Sequence, residues 1–182
     1  MSAVITSVAE IRTRVEASLP WREASAADRA LRAAHEIARG APQELVDRLD
    51  GAMRVVITGA GSSLYIAQTA AFAMREEAGI PAEAQPLSEV LLRPQAVFAA
   101  QALADQPLIV VSRSGTTTAA LQVLRAARER GQFTVALTCR PDAPMASLAD
   151  AALVLPEGDD DAIVMTRSFV SQASLLMRLG AR

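Results

Sequence analysis

The sequence predicts an α/β fold: a doubly wound, five-stranded parallel sheet in a flavodoxin-like three-layer sandwich, preceded by an N-terminal helical layer. Two observations carry this. From Arg54 onward, short β-branched apolar runs alternate with longer Ala- and Leu-rich segments. Each parallel connection requires a crossover, so strand and helix in alternation imply a parallel sheet covered on both faces. A third observation sets the scale. The 182 residues, 51% of them hydrophobic, suffice for one compact domain that buries roughly 70% of its unfolded surface, and two independent domains are not expected.

Residues 1–51 read as helices without chemistry. Ser7 and Glu10 have capping-box spacing before Val8, Ile11, Val15 and Leu19, which fall on one helical face, and Pro20 is expected to stop that helix. Ser25 and Asp28 repeat the cap before Leu31, Ala34 and Ile37, Gly40 ends the second helix, and Pro42 opens a third that runs to Gly51. His35 lies inside this layer, where a packed or partly exposed histidine is expected instead of an acid or base.

Residues 52–182 form the α/β unit. Strands are expected at Val55–Thr58, Ala82–Gln85, Leu108–Val111, Phe133–Leu137 and Ala151–Leu155. Helices are expected at Ser63–Ala78, Glu89–Leu103, Thr117–Arg130, Met145–Ala149 and Ser168–Leu179. In such sheets ligands bind outside the carboxyl ends of the strands, near the switch in strand order.

Composition excludes several functions. One cysteine, Cys139, precludes an internal disulfide, and with a single histidine the usual zinc constellations cannot be assembled, so no metal and no cofactor are expected. A net charge of −2 and an aromatic content of 3% argue against nucleic acid as a partner. No apolar run approaches a membrane span, the N-terminus has no signal-like pattern, and a cytosolic location is expected. All 18 basic residues are arginine, which removes Schiff-base chemistry, pyridoxal phosphate attachment and the Walker lysine.

Two loops carry candidate chemistry. Thr58-Gly59-Ala60-Gly61-Ser62-Ser63 joins an apolar strand to a long helix, whose unpaired N–H groups can face an anion. As a dinucleotide fingerprint it is defective, because the third glycine of G-x-G-x-x-G would fall at Leu64. A strand–helix turn with a serine cap is the plain alternative. The second loop, Ser112-Arg113-Ser114-Gly115-Thr116-Thr117-Thr118, offers five hydroxyls and a glycine, more donors than one cap requires. A bound phosphate would use the rest, with Arg113 either pairing with it or pointing to solvent.

Gly61-Ser62-Ser63, then Ser112-Arg113-Ser114-Gly115-Thr116-Thr117, Thr138, Ser147-Leu148-Ala149-Asp150 and Met165-Thr166-Arg167-Ser168-Phe169 resemble the ordered motifs of sugar isomerase (SIS) domains over about Arg54 to Leu179. The likeness is to the first SIS domain of two-domain proteins, the isomerase half of glucosamine-6-phosphate synthase and the tagatose-6-phosphate ketose/aldose isomerases. The resemblance implies a hexose or hexosamine 6-phosphate as ligand. It points to Ser63 against the sugar and to Ser112, Ser114 and Thr117 around the phosphate, with Arg113 standing where the family commonly has glutamine and with Gly61, Ser62, Arg113, Gly115 and Thr166 also expected to line the substrate site. Thr166 belongs to the family's threonine–lysine pair, whose lysine is Arg167 here.

Glu157, Asp159, Asp160 and Asp161 form an acidic run that reads as a solvated loop, whereas the resemblance implies a carboxylate facing substrate in a similar loop, for which Asp161 is the candidate. Isomerisation needs a base, a ring-opening acid and a fixed phosphate end, and only the last is evident. The resemblance implies that the missing groups come from a second SIS domain, in the same chain or in a homodimer. Three classes follow: a domain of a sugar-phosphate isomerase or isomerising deaminase, a non-catalytic phosphosugar sensor, and a dinucleotide-binding enzyme.

Overall fold

A computed structural model of the protein describes residues 7–98 and 100–181. Four helices open the chain: α1 (Val8–Glu16), α2 (Leu19–Ser25), α3 (Ala27–Arg39) and α4 (Gln43–Asp50). The α/β unit then runs β1 (Val55–Gly59), α5 (Ser62–Ala78), β2 (Ala82–Pro86), α6 (Leu87–Leu92), α7 (Pro94–Val97), a 3₁₀ segment (Ala100–Asp105) and β3 (Leu108–Val111). It ends with α8 (Thr118–Glu129), β4 (Thr134–Thr138), α9 (Pro144–Leu148), β5 (Ala151–Val154), a 3₁₀ turn (Pro156–Gly158) and α10 (Arg167–Gly180).

The five strands are all parallel in the order β2-β1-β3-β4-β5. Side chains alternate across a strand, and here both sets are buried. Val55, Ile57, Ile109, Val111, Val135 and Leu137 share a core with α3, α4, α5 and α10. Val56, Leu108, Val110 and Ala136 share a second core with α6, α7, α8 and Met145 of α9. Ala34, Leu45 and Leu49 are buried in the first of these, so α3 and α4 cover one face of the sheet.

The helical layer departs from expectation where proline and register intervene. Pro20 lies in the first turn of α2, where its missing N–H costs nothing, so it begins a helix instead of only ending one. Ser25 belongs to the end of α2, and α3 starts after Ala26 with no side-chain cap. Asp28 is spent on Arg32 at 2.5 Å. The buried stripe of α3 is Ala30, Ala34 and Ala38, whereas Leu31 is exposed. Only α1 has its capping box, with Ser7 Oγ accepting from Glu10 N–H at 3.2 Å, but its Val8, Ile11 and Val15 stripe faces outward. The long helix expected over Glu89–Leu103 is broken by Pro94, which drives Arg93 out of helical angles (φ −132°, ψ 49°).

Asp150 fixes the start of β5 against β4. Its Oδ2 accepts from Thr134 N–H (2.9 Å) and Oγ1 (2.7 Å), and its Oδ1 from Arg128 Nε (3.1 Å). Burial pushes this carboxyl up, but the Thr134 hydrogen bonds and the Arg128 charge outweigh it and hold the pKa below the ordinary value. Asp150→Ala is expected to lower stability by about 1–2 kcal/mol in urea titrations near pH 7. Because the folded pKa is depressed, the stabilisation is present above the unfolded carboxyl pKa of about 3.9 and is lost as pH falls through the folded value. The gap between wild type and variant should therefore begin to narrow below about pH 4 and close only below the folded value.

Candidate functional site

The strand order reverses between β1 and β3, and both chemistry-bearing loops leave the carboxyl ends of these two strands. After β1 the chain turns at Gly61 (φ 54°) into α5, whose N-terminus has no side-chain cap. Ser62 is exposed, Ser63 is buried, and Ser63 N–H donates to the carbonyl of Ala60 at 3.1 Å. Gly59 permits the tight approach of strand to helix, since a Cβ there would meet the Ser63 backbone at 2.6 Å. The α5 terminus thus opens toward the end of β1 with its hydroxyls unspent on capping.

After β3 the loop wraps into a small enclosed turn. Ser112 is 6% exposed, its N–H donates to Leu137 carbonyl at 3.0 Å, and its Oγ lies 3.1 Å from Thr117 Oγ1 and accepts from Gly115 N–H at 3.3 Å. Gly115 adopts φ +61° and packs against Ala143 and Thr138. Ser114 Oγ accepts from Thr116 Oγ1 at 3.0 Å. Thr117 is the N-cap of α8 but makes no capping hydrogen bond. Capping therefore does not account for this cluster of hydroxyls, and the α8 N-terminus is open beside it.

Thr138 buttresses the loop from the end of β4. Its Oγ1 donates to Arg113 carbonyl at 3.0 Å, and Cys139 N–H donates to the same carbonyl at 2.9 Å. Burial, reinforced by the charges of Asp159 and Asp160, pushes the Cys139 thiol up to about 12. It is a packed side chain and not a nucleophile.

The acidic run is not a freely solvated loop. Asp160 is buried and caps α10, its Oδ2 accepting from Thr166 N–H (2.9 Å), Ser168 N–H (3.1 Å) and Ser168 Oγ (2.5 Å). Thr166 Oγ1 donates to the other oxygen at 3.2 Å. Asp159 Oδ2 accepts from Arg140 Nε at 3.0 Å, and Arg167 donates to the Asp159 carbonyl. Arg113 projects neither to solvent nor along its own loop. Its Nη1 donates to Ala162 carbonyl at 2.7 Å, with Nε 4.0 Å from Asp159. Asp161 is exposed, and among the described residues its carboxylate alone in the run has neither a hydrogen bond nor an ion pair.

Sequence patterns gave no hint of Glu23. This α2 residue is 3% exposed, and its Oε1 accepts the N–H groups of Asp161 (2.6 Å) and Ala162 (3.1 Å). A contact between residues 138 apart leaves no periodic signal. Thr138 and Asp150 stood in recognisable motifs, but their structural tasks follow only from the coordinates.

An open α/β sheet thus brings two helix N-termini without side-chain caps and a hydroxyl-lined turn to its switch point, the place where such folds hold ligands. The chain belongs to the SIS domain family, whose model matches residues 48–182. The glutamine–fructose-6-phosphate aminotransferase (isomerizing) of Tropheryma whipplei is 30% identical over 126 residues, 69% of this chain and 20% of that enzyme. The chain thus spans about a fifth of the length of the curated relatives it matches. Tagatose-6-phosphate ketose/aldose isomerase from Escherichia coli superimposes with a TM-score of 0.75 at 20% identity, over 86% of this chain and 45% of that one. The Vibrio vulnificus NanR protein complexed with ManNAc-6P superimposes with a TM-score of 0.69 at 18% identity, over 94% and 63% of the respective chains. No helix among the described residues is long and apolar enough to cross a membrane.

Proposed function

We propose that this chain is the phosphosugar-binding SIS domain of a sugar-phosphate isomerase, acting on a hexose or hexosamine 6-phosphate by aldose–ketose isomerisation or isomerising deamination. The observation that carries the proposal is the Ser112–Thr117 turn, whose hydroxyls lie at an uncapped α8 N-terminus and do not cap it. A phosphate there gains from the helix terminus and from charge-assisted hydroxyl contacts, each of the latter about 1.5–3 kcal/mol. Ser112, Ser114, Gly115 and Thr117 are assigned to the phosphate, and Gly61, Ser62 and Ser63 to the sugar. Thr166 takes a place at the rim, and Arg113 acts through the acidic loop that it holds.

Asp161 is the carboxylate of the acidic run left free to face substrate, but no acid for ring opening accompanies it. A second SIS domain supplies the rest of the site. Exposed apolar side chains at the tip of the acidic loop, Ile163 (96%) and Val164 (63%), and separately on α5, Tyr65 and Phe72 (61% each), are available to such a domain. Isothermal calorimetry is expected to show binding of glucosamine 6-phosphate, fructose 6-phosphate or galactosamine 6-phosphate and none of the unphosphorylated sugars. In a coupled assay the isolated chain should turn over little. Tight binding of NAD without sugar-phosphate binding overturns the proposal in favour of a dinucleotide enzyme. Binding without turnover in the full-length protein favours a non-catalytic phosphosugar sensor.

A further inference from the structure

Glu23 is the one buried residue of α2, and it is a carboxylate. Burying that charge is costly unless hydrogen bonds compensate it. Its compensation comes from one place: Oε1 takes the consecutive N–H groups of Asp161 and Ala162, while Oε2 is enclosed with no partner. The carbonyl of the same Ala162 receives Arg113 from the phosphate loop at 2.7 Å. A single residue of the acidic loop is therefore gripped from both sides, by the N-terminal helices through its N–H and by the phosphate loop through its C=O. Among the described residues the ion pair from the N-terminal layer to this loop is weak, since Arg29 stands 4.0 Å from Glu157 and is 81% exposed.

Arg113 sits between Ser112 and Ser114, so the anchoring of its guanidinium bears directly on the shape of the turn that carries both hydroxyls. We propose that Glu23 is a positioning residue for the sugar-phosphate site, fixing the 159–166 loop so that Ala162 holds Arg113 and the Ser112–Thr117 turn keeps its binding geometry. The proposal rests on the phosphosugar function above. It makes the N-terminal helical layer part of the binding device, with the carboxylate supplying charge-assisted hydrogen bonds stronger than a neutral acceptor gives.

The test combines amide hydrogen exchange on the unliganded chain with glucosamine 6-phosphate calorimetry, for wild type, Glu23→Ala and Glu23→Gln. In Glu23→Ala the Asp161 and Ala162 amides should exchange faster, and affinity should fall about tenfold, the loss of roughly one such contact. Slow-exchanging amides of the sheet should be unchanged. Glu23→Gln keeps one neutral acceptor oxygen and should fall between wild type and Glu23→Ala in both amide exchange and affinity; if the alanine variant fails to fold, wild-type values of both in Glu23→Gln overturn the proposal. Wild-type affinity in Glu23→Ala, or exchange at 161 and 162 equal to wild type, overturns the proposal. Affinity lost only in proportion to global unfolding also overturns it, because that is a purely structural role. If wild type binds no sugar phosphate, the functional assignment falls, while the exchange measurement still decides whether Glu23 clasps the loop.

Discussion

Gly115→Ala is expected to weaken sugar-phosphate binding strongly and to destabilise the fold. At φ +61° an L-residue costs about 1–2 kcal/mol, because its Cβ crowds the following carbonyl. The new Cβ would also lie 2.5 Å from the Ala143 Cβ and 2.8 Å from Thr138 Oγ1. Neither neighbour can retreat. Ala143 is 5% exposed, and Thr138 is buried while holding the Arg113 carbonyl. Overpacking of this kind costs about 1–3 kcal/mol, so the sum is about 2–5 kcal/mol in a urea titration. Relief of the clash moves the turn that carries Ser112 and Ser114, and a displacement near 1 Å at a positioned site is worth about a hundredfold. Gly131→Ala is the control. Its φ is +78°, but a Cβ there meets nothing within 4 Å, so only the backbone cost of about 1–2 kcal/mol should appear and affinity should stay unchanged. Equal affinities for the two variants would show that the turn is not the binding element.

The β1, β3 and β4 strands were legible because continuous β-branched apolar runs have few other uses, and all three are buried along their whole length. Their parallel pairing followed from alternation with helices, since each parallel connection needs a crossover, whereas the order β2-β1-β3-β4-β5 is seen only in the fold. The two loops at the switch point were legible as strand–helix turns for the same local reason: glycine and hydroxyl residues sit immediately after apolar runs. Less legible was how each hydroxyl or charge is used. Ser7 and Ser25 have the same spacing to a following acid, but only Ser7 caps, because the α2–α3 junction comes at Ala26 and leaves Ser25 inside the preceding helix. Asp159, Asp160 and Asp161 are adjacent and chemically alike. One is paired with Arg140, one is buried as the α10 cap and one is exposed, and those assignments come from where α10 and β4 end. Glu23 reaches the site across 138 residues through backbone N–H groups, which any sequence at 161–162 would supply.

Ser114→Ala is expected to weaken glucosamine 6-phosphate binding by about 10- to 150-fold, the equivalent of one hydrogen bond to a charged oxygen at about 1.5–3 kcal/mol. The Ser114 hydroxyl accepts from Thr116 Oγ1 at 3.0 Å, which leaves its own proton to donate. It does not cap α8, which starts at Thr118 behind the N-cap Thr117. Its loss should therefore change the urea midpoint by less than the ~1 kcal/mol that a capping serine contributes. Thr117→Ala separates the hydroxyl of the turn from that of the cap position. Because Thr117 makes no capping hydrogen bond but pairs with Ser112, it too should lose affinity with little loss of stability. Unchanged affinity in Ser114→Ala together with a lowered midpoint would mean that the hydroxyl stabilises the turn and does not reach the phosphate. The anion would then rest on Ser112, Thr117 and the α8 backbone amides, and unchanged affinity in Thr117→Ala as well would sink the phosphate assignment of the turn.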